Sequence, residues 1–275
     1  MSCPACGGYG QTVRVWVSRS GRVVRCTECG MVYSDPPAVP IDRGLEGNKV
    51  SDDPAQSMVN ARRRLRWIAR LGGPTDGRLL DIGCFDGAFA AAARKHGFEV
   101  TGLEPYGPAA EKASKTYGLN VVDSRVQQAE FEPDSFEIIT LIHVFEHLPD
   151  PHSVLERMSR WLVPGGVLAI ELPDSGSISA RLLGRWWRQY IVDHWRFYNK
   201  RVLTELLGSH GLKVLGASRV GKRASFGLMA DRIERYYWPD LGRGIAQWLQ
   251  NRGLDNYGLT LYTGDILFAV AQKPE

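Results

Sequence analysis

The sequence has no long hydrophobic run. No segment approaches the roughly 18 consecutive apolar residues that a membrane-spanning helix requires, and Met1–Pro4 shows no sign of a secretion signal. Internal repeats and low-complexity tracts are missing too. With 275 residues, the chain is long enough for one full-sized α/β domain and a small accessory domain. These features predict a cytoplasmic, globular protein without a membrane span.

The chain also has little net charge. It carries 34 Lys and Arg against 30 Asp and Glu, and the resulting +4 does not by itself indicate a nucleic-acid partner. The basic residues are nevertheless clustered, at Arg62–Arg66, Arg181–Arg188 and Arg219–Arg223. Such clusters are usually solvated helix faces, and the alternative is a site for an anion.

Cysteine is scarce, yet four of the five cysteines form one pattern near the N-terminus. Two Cys-x-x-Cys pairs are separated by nineteen residues, and they comprise Cys3, Cys6, Cys26 and Cys29. Each pair can direct two thiolates at one ion, so the pattern predicts a zinc site. Four thiolates leave no open coordination position, which makes the predicted zinc structural. Two disulfides or a redox pair are the alternatives, and a reducing cytosol disfavours the disulfides.

The patterns along the chain predict three parts. Residues 1–34 are a zinc ribbon, with hairpin-like alternation at Thr12–Val17 and Gly21–Val24 between the cysteine pairs. Residues 35–53 begin with a proline-rich run and are predicted to be a linker, or a loop that orders over a ligand. The main α/β domain and its two insertions follow, at residues 54–275, about 175–198 and about 223–263.

The main domain alternates between strand and helix patterns, which predicts a Rossmann-like, doubly wound, mostly parallel sheet of seven strands. The predicted strands are Leu79–Ile82, Phe98–Leu103, Leu119–Val122, Phe136–Ile142, Val167–Leu172, Leu212–Ala217 and Ile266–Ala271. Ligands of such sheets bind at the carboxyl ends of the strands. The second insertion has helical spacing, and we expect it either to cover the cleft or to contact another subunit in a homodimer.

A glycine turn follows the first predicted strand. Gly83 and Gly87 separate the apolar run from an alanine-rich segment, an arrangement that presents backbone N–H groups at a helix N-terminus. Cys84 lies in this turn and is expected to be a small buried filler. The second predicted strand ends at Glu104, where nucleotide-binding α/β folds place an acid that accepts hydrogen bonds from a ribose.

The details of the turn favour S-adenosylmethionine over a dinucleotide. A dinucleotide site would have the spacing Gly-x-Gly-x-x-Gly, whereas here Phe85 replaces the middle glycine. Asp81, just ahead of the first glycine, suits a cationic ligand better than a pyrophosphate. We therefore expect Asp81 near the ammonium group, the glycine turn under the methionine part and Glu104 on the ribose hydroxyls.

At these residues the chain resembles the class I S-adenosylmethionine-dependent methyltransferases. The resemblance is carried by Leu79–Gly87, Gly102–Pro105, Ser135–Leu148 and Leu162–Gly166. The run Cys26–Pro36 is similar to a subgroup with an N-terminal zinc ribbon, whose members often act on small molecules and sugars. Phe85 departs from the glycine that is commoner in the family. The resemblance implies cofactor contacts by Asp81, Gly83, Cys84, Gly87, Glu104, Pro105 and His143.

Two histidine segments are candidates for catalysis. Methyl transfer depends on in-line alignment, and a hydroxyl acceptor also needs a base within hydrogen-bond reach. In His143–His147, the resemblance places His143 beside the methionine part, with Glu146 and His147 nearer the substrate. Alternatively, His147 caps or packs against the helix that begins near Pro149.

The second candidate is His194, in the segment Asp193–Asn199. It lies in the first insertion, which forms the substrate side of the cleft in this family, so we expect His194 to be the general base with Tyr198 nearby. Asp193 is a candidate to orient it. Alternatively, His194 only donates a hydrogen bond to a backbone carbonyl.

We therefore predict O-methylation of a sugar or a natural-product intermediate. An anionic group on this small-molecule acceptor would use the arginines between Arg181 and Arg188. N- and C-methylation stay open, because a base does not fix the acceptor atom. An RNA methyltransferase that binds phosphates through its ribbon and basic clusters is the first alternative, and the modest charge disfavours it. A non-catalytic binding or scaffold protein is the second.

Overall fold

The structure is a computed structural model, and it describes residues 2–8, 12–18, 21–35, 54–191, 194–236 and 238–275. The linker predicted over residues 35–53 lies outside the described residues, apart from Asp35, and so does Asp193. In the described part of the chain, no helix combines the length and the apolar composition needed to cross a membrane.

Thirteen strands and eight helices alternate along these residues. The strands are β1 (Thr12–Ser18), β2 (Gly21–Cys26), β3 (Val32–Asp35), β4 (Gly77–Ile82), β5 (Phe98–Leu103), β6 (Asn120–Val122), β7 (Phe136–Ile142), β8 (Leu162–Pro173), β9 (Arg196–Phe197), β10 (Lys213–Arg219), β11 (Lys222–Ser225), β12 (Gly258–Leu261) and β13 (Ile266–Gln272). The helices are α1 (Pro54–Arg70), α2 (Ala88–Lys95), α3 (Gly107–Tyr117), α4 (Pro151–Trp161), α5 (Ile178–Leu183), α6 (Lys200–Ser209), α7 (Phe226–Tyr236) and α8 (Pro239–Asn251).

The central sheet has seven strands in the order β10-β13-β8-β7-β4-β5-β6. The five strands from β4 to β8 pair in parallel with their sheet neighbours, while β13 runs antiparallel to both β8 and β10. The predicted Rossmann-like, mostly parallel sheet is therefore confirmed. Its carboxyl ends gather the segments that follow β4, β5, β7 and β8 at one edge.

Helices cover both faces of this sheet with apolar side chains. On one face, α1 contributes Ala61, Leu65 and Ile68 at helical spacing, and the buried alanines of α2 let that helix lie close to the strands. On the other face, the core contains side chains of α4 and α6 and also Met31 and Tyr33 of the N-terminal segment. The four-cysteine segment thus shares a core with the main domain.

The N-terminal hairpin is part of a larger antiparallel sheet with the order β1-β2-β3-β9. Strands β1 and β2 were predicted from their alternation. Strand β9 was not predicted, because it has only two residues and its partner is far away in the chain: Val32 pairs with Phe197, and Tyr33 with Arg196. This pairing attaches the first insertion to the ribbon.

The second insertion contains the predicted helices, α7 and α8, together with a pair of antiparallel strands, β11 and β12, that was not predicted. The strand pair is fixed to α1 by hydrogen bonds of Gln56, Asn60 and Arg63, of which the buried Asn60 makes two. Asn60 donates a hydrogen bond to the Arg223 carbonyl (3.0 Å) and accepts one from the Arg223 N–H (2.8 Å). The insertion therefore packs beside the first helix of the main domain.

Candidate active site

The glycine turn after β4 has left-handed backbone at Gly83 (φ 69°) and Gly87 (φ 79°). A Cβ at Gly83 would lie 2.4 Å from Val144 Cγ2, and a Cβ at Gly87 would lie 2.7 Å from Leu119 Cδ1, so only glycine fits at either position. Phe85 also has a positive φ, of 47°. The residue that departs from the family pattern therefore keeps a backbone conformation typical of glycine.

Glu104 lies at the end of β5 and faces this turn. Its carboxylate is buried and accepts hydrogen bonds from the backbone N–H groups of Phe85 and Tyr106, each at 2.9 Å. Burial raises the pKa of Glu104 above its ordinary value, although both hydrogen bonds oppose that shift. Pro105, the next residue, is exposed.

Asp81 is the second acid of the turn and is almost fully buried at the end of β4. It accepts a hydrogen bond from Thr140 Oγ1 at 2.8 Å, and burial raises the pKa of Asp81 to about 7. Cys84 packs against Gly102, and burial raises the pKa of its thiol, as expected for a filler. Two buried acids beside a strained glycine turn fit a ligand that carries both a cation and hydroxyl groups.

His143 follows β7 and carries a left-handed backbone, with φ 55°. Its Nδ1 lies 3.4 Å from Glu146 Oε1, and its Nε2 lies 3.3 Å from Glu171 Oε1. Burial alone would lower the pKa of His143, but the two carboxylates outweigh burial and raise it to about 8. The imidazole thus bridges two acids at the carboxyl edge of the sheet.

Arg64 on α1 holds the other side of Glu171. Its Nε donates to Glu171 Oε2 at 2.7 Å, and its Nη2 donates to Oε1. Burial would raise the pKa of Glu171, but the charge of Arg64 holds it well below its usual range. The expectation that Arg62–Arg66 is a solvated helix face is correct for the exposed Arg62 and Arg66 and wrong for Arg64.

Glu146, His147 and His194 lie together next to His143. Glu146 is 1% exposed, and its Oε1 lies 3.9 Å from His194 Nε2. The rings of His147 and His194 are 4.8 Å apart in an edge-to-face arrangement. Helix α4 is capped by Asp150, which accepts from the N–H groups of His152 and Ser153, so the reading of His147 as that cap is wrong.

His194 is buried, and its Nδ1 lies 2.8 Å from the carbonyl oxygen of Gln189. Burial lowers the pKa of His194 to about 4, so its ring is neutral at pH 7. Since a carbonyl only accepts, Nδ1 carries the proton and Nε2 keeps a free lone pair. Tyr198, expected near His194, is fully buried and stacks on Phe145 at 5.1 Å.

A cavity of about 110 Å³ lies between α1 and the β10–β13 edge, next to Glu171. Three arginines and two aromatic rings are among its lining residues: Arg63, Arg64, Arg219, Trp67 and Phe268. Arg64 pairs with Glu171 and Arg219 with Asp174, whereas Arg63 donates to the hydroxyls of Thr260 and Tyr262. In the first insertion, Arg188 pairs with Asp265, and Arg185 lies over the Trp186 ring.

The four N-terminal cysteines converge on one point. Cys3 Sγ lies 3.6 Å from Cys29 Sγ, and Cys6 Sγ lies 3.7 Å from Cys26 Sγ. A tetrahedral zinc ion with Zn–S bonds of about 2.3 Å needs sulfur atoms about 3.8 Å apart. The thiols are free rather than joined as disulfides, so their arrangement fits a structural zinc ion.

Arg64 and Glu171 were not among the predicted site residues, whereas Glu146 was expected near the substrate. Glu171 lies inside an apolar strand pattern, and a charged residue there is the one signal that could have identified it. Arg64 is hidden in a basic run, and its partner lies 107 positions further along the chain. Only the fold brings these residues together.

Comparison with known proteins gives the same architecture. Residues 59–217, more than half of the chain, match the family described as a methyltransferase domain. A ubiquinone biosynthesis O-methyltransferase of Pseudomonas aeruginosa is 34% identical over 110 residues, which are 38% of this chain and 47% of that protein. The protein of the same name from Aeromonas salmonicida is 30% identical over 172 residues, 57% of this chain and 72% of that protein. The match thus spans about half the length of the Pseudomonas relative.

Two solved structures share the fold. Phosphoethanolamine N-methyltransferase 2 of Haemonchus contortus, in complex with S-adenosyl-L-methionine, has a TM-score of 0.54 and 19% identity over 89% of this chain and 62% of that one. An S-adenosylmethionine-dependent methyltransferase from Mesorhizobium loti has a TM-score of 0.51 and 16% identity over 76% of this chain and 97% of that one. At such identities the likeness concerns the fold alone.

Proposed function

This chain belongs to the class I S-adenosylmethionine-dependent methyltransferases, and from that premise we propose that it methylates a hydroxyl group of a small molecule. One observation carries the proposal. A row of polar groups runs along the carboxyl edge of the sheet from Glu171 through His143 and Glu146 to His194, and all but the partly exposed His143 are buried. Val144, the residue after His143, lies against Gly83 of the glycine turn. Such a row can hold or move a proton next to a bound methyl donor.

The residues of the glycine turn would hold the cofactor. Asp81 would balance the ammonium group, and Glu104 would accept hydrogen bonds from the ribose hydroxyls. Gly83, Cys84, Gly87 and Pro105 would form the surface beneath the cofactor, with His143 beside its methionine part. S-adenosylmethionine, when bound, supplies the methyl group through its sulfonium.

His194 and His147 would receive the proton of the acceptor. As the methyl group passes from sulfur to the acceptor oxygen, the S–CH₃ bond breaks, the O–CH₃ bond forms and the hydroxyl proton must leave. His194 is neutral at pH 7 and has a free lone pair on Nε2, so it can take part in that transfer. His147 is the more exposed of the two and would lie closer to the acceptor.

The acceptor is proposed to be a sugar or a natural-product intermediate with an anionic group. The cavity beside Glu171 supports an anion, because the two hydroxyl partners of Arg63 leave its charge available. We therefore propose that the anion binds near α1 and not near Arg188, whose charge is matched by Asp265. Relatives named O-methyltransferases favour oxygen as the methyl acceptor.

We also propose that Cys3, Cys6, Cys26 and Cys29 hold a structural zinc ion. The sulfur separations support this assignment.

We propose a division of the chain into a ribbon (1–34), a linker (35–53) and a methyltransferase domain (54–275), in which the ribbon also contacts the first insertion. Strand β3 of the ribbon pairs with β9 of the first insertion, so the ribbon would brace the segment that carries His194.

Transfer of a labelled methyl group tests the function. The protein is incubated with S-adenosylmethionine labelled in its methyl group and a cell extract, which is then separated into RNA and small molecules. Label should enter a small molecule. Label in RNA would replace this proposal by an RNA methyltransferase, and failure to bind S-adenosylmethionine would favour a scaffold protein.

The role of His194 is tested with the variant His194→Ala. Turnover should fall about 100-fold or more, as for the loss of a general base, while S-adenosylmethionine affinity stays nearly unchanged. Calorimetric titration of the cofactor and initial rates give the two quantities. Equal losses of both would indicate a structural role instead.

A further inference from the structure

The cluster of Glu146, His147 and His194 has a feature that proton transfer alone does not require. Each residue offers one donor atom, and these three atoms lie within 4.8 Å of one another. We propose that this cluster is a second metal site, which binds one divalent transition-metal ion independently of the zinc ion at the cysteines. Two imidazoles and one carboxylate are a donor set that such ions favour.

Glu146 is a buried carboxylate that lacks hydrogen bonds within the described part of the chain. Among the described residues, neither oxygen of this carboxylate has a hydrogen-bond partner, although the side chain is 1% exposed. A buried carboxylate without such partners is costly, and a bound cation removes that cost. His143 Nδ1 lies 3.4 Å from Oε1 and partly compensates that oxygen, whereas Oε2 has no partner among the described residues.

The orientation of His194 is the second argument. Its Nδ1–H donates to the Gln189 carbonyl, so Nε2 carries a lone pair, and this atom lies 3.9 Å from Glu146 Oε1. Both atoms are acceptors, so a cation between them would bind to each. A histidine that binds a metal through one nitrogen commonly donates its other N–H to a backbone carbonyl, as here.

The scaffold of the cluster is the third argument. Glu146 and His147 lie in a single turn of 3₁₀ helix after β7, at Phe145–His147, and His194 comes from the first insertion. The two segments are joined by the hydrogen bond from Trp195 N–H to the Glu146 carbonyl, at 3.1 Å. Strand β9, next to His194, is in turn paired with β3. The donors are therefore held by rigid neighbours on both sides.

The geometry also leaves room for a ligand. Metal bonds to nitrogen and oxygen of about 2.0–2.2 Å would draw the three side chains slightly closer together and leave further coordination positions open. If the proposed O-methylation is correct, an acceptor oxygen would occupy one of them, and the ion would lower the pKa of that hydroxyl. In the metal-bound enzyme His194 and His147 would then act by holding the ion, instead of receiving the proton themselves. Only this last role depends on the proposed function; metal binding does not.

Titration with Co²⁺ tests the site on the full chain with zinc at its cysteines. One equivalent of Co²⁺ should bind and give the weak visible absorption bands of nitrogen and oxygen ligands, without the intense near-ultraviolet band of a cobalt thiolate. Glu146→Gln keeps the shape of the side chain and removes its charge, and it should weaken Co²⁺ binding at least tenfold. His194→Ala should do the same.

His96→Ala is the matched control, because His96 lies at the end of α2 and bonds to the Ala92 carbonyl, outside the cluster. It should bind Co²⁺ as the unaltered protein does. If Glu146→Gln does not fold, as judged by circular dichroism, the more exposed His147→Ala supplies the same test. Absence of Co²⁺ binding, or equal binding by the cluster variants and the control, would overturn the metal site.

The same preparation separates this proposal from the proposed function. Methyl transfer without Co²⁺ binding would remove the metal site and leave the methyltransferase assignment intact. Co²⁺ binding that is lost in Glu146→Gln, without any methyl transfer to a small molecule, would support the metal site and contradict the proposed acceptor.

Discussion

The buried carboxyl of Asp81 makes the stability of the fold depend on pH. The carboxyl is buried at the end of β4, and burial raises its pKa to about 7 from an ordinary value of 3.8. An acid with a raised folded-state pKa stabilises the fold at low pH, where it is protonated in both states. That contribution is lost as the pH rises from about 4 to about 7, because the unfolded chain releases the proton first.

Asp81→Asn should therefore gain stability relative to the unaltered protein as the pH rises. The free energies of unfolding of the two proteins should differ least near pH 4 and most above pH 7, where the difference becomes constant. Urea unfolding at several pH values gives this difference. Asp76→Asn, which changes an exposed acid before β4, is the control and should show no such trend. A constant difference across the range would contradict the buried, protonated state of Asp81.

Gly83 makes a separate prediction, because it combines a positive φ with a close contact. Gly83→Ala places a Cβ 2.4 Å from Val144 Cγ2 and should weaken S-adenosylmethionine binding about tenfold or more. Gly97→Ala is matched, with φ 99° but nothing within 4 Å of the added Cβ. It should cost about 1 kcal/mol of stability and leave cofactor affinity unchanged, as calorimetry can show. If Gly83→Ala and Gly97→Ala bind S-adenosylmethionine with equal affinity, the turn at Gly83 does not hold the cofactor.

The helices and strands that could be predicted from the sequence are those with a local residue pattern. Strands β4 and β7 contain apolar runs, and α6 has its cap at Asn199 and a glycine after its end, so these elements were predicted. Strand β8, by contrast, begins at Leu162 and not at the predicted Val167. The contacts between elements were not predicted. Arg64 and Glu171 meet only when α1 packs beside β8, and β9 exists only because β3 offers it a free edge.

Helix α1 contributes the proposed anion contact. Arg63→Ala removes the arginine with neutral hydroxyl partners, and it should raise KM for an anionic acceptor about tenfold, with a smaller effect on kcat. Arg66→Ala, on the exposed face of the same helix, should change neither quantity. Initial rates measured at several acceptor concentrations give KM and kcat for each variant. An unchanged KM in Arg63→Ala would place the anion elsewhere.

At the scale of the whole molecule, the ribbon and the methyltransferase domain are one packed unit. Cys3, Cys26 and Cys29 belong to the same core as Phe145 and Tyr198, which lie close in the chain to the residues of the histidine cluster. Arg201 of α6 also donates to the Cys29 carbonyl at 2.6 Å. Metal at the cysteines should therefore stabilise the active site as well as the ribbon.

Zinc at the cysteines can be measured by its release with an organomercurial, which attacks thiolates and leaves carboxylate and imidazole ligands alone. The unaltered protein and Cys84→Ser should each release one zinc ion per chain, and Cys6→Ser should not. Loss of this ion should lower the unfolding temperature by about 5 °C or more. Release of no zinc from the unaltered protein would refute the structural site.

The central claim is that a methyl group passes to an oxygen atom of a small molecule. Its most direct test supplies S-adenosylmethionine with a ¹³C-labelled methyl group to an extract and identifies the labelled product by NMR. We expect a methoxy carbon in a small, anionic product, formed at a much lower rate by His194→Ala. A labelled methyl group on nitrogen or carbon, or in RNA, would contradict it.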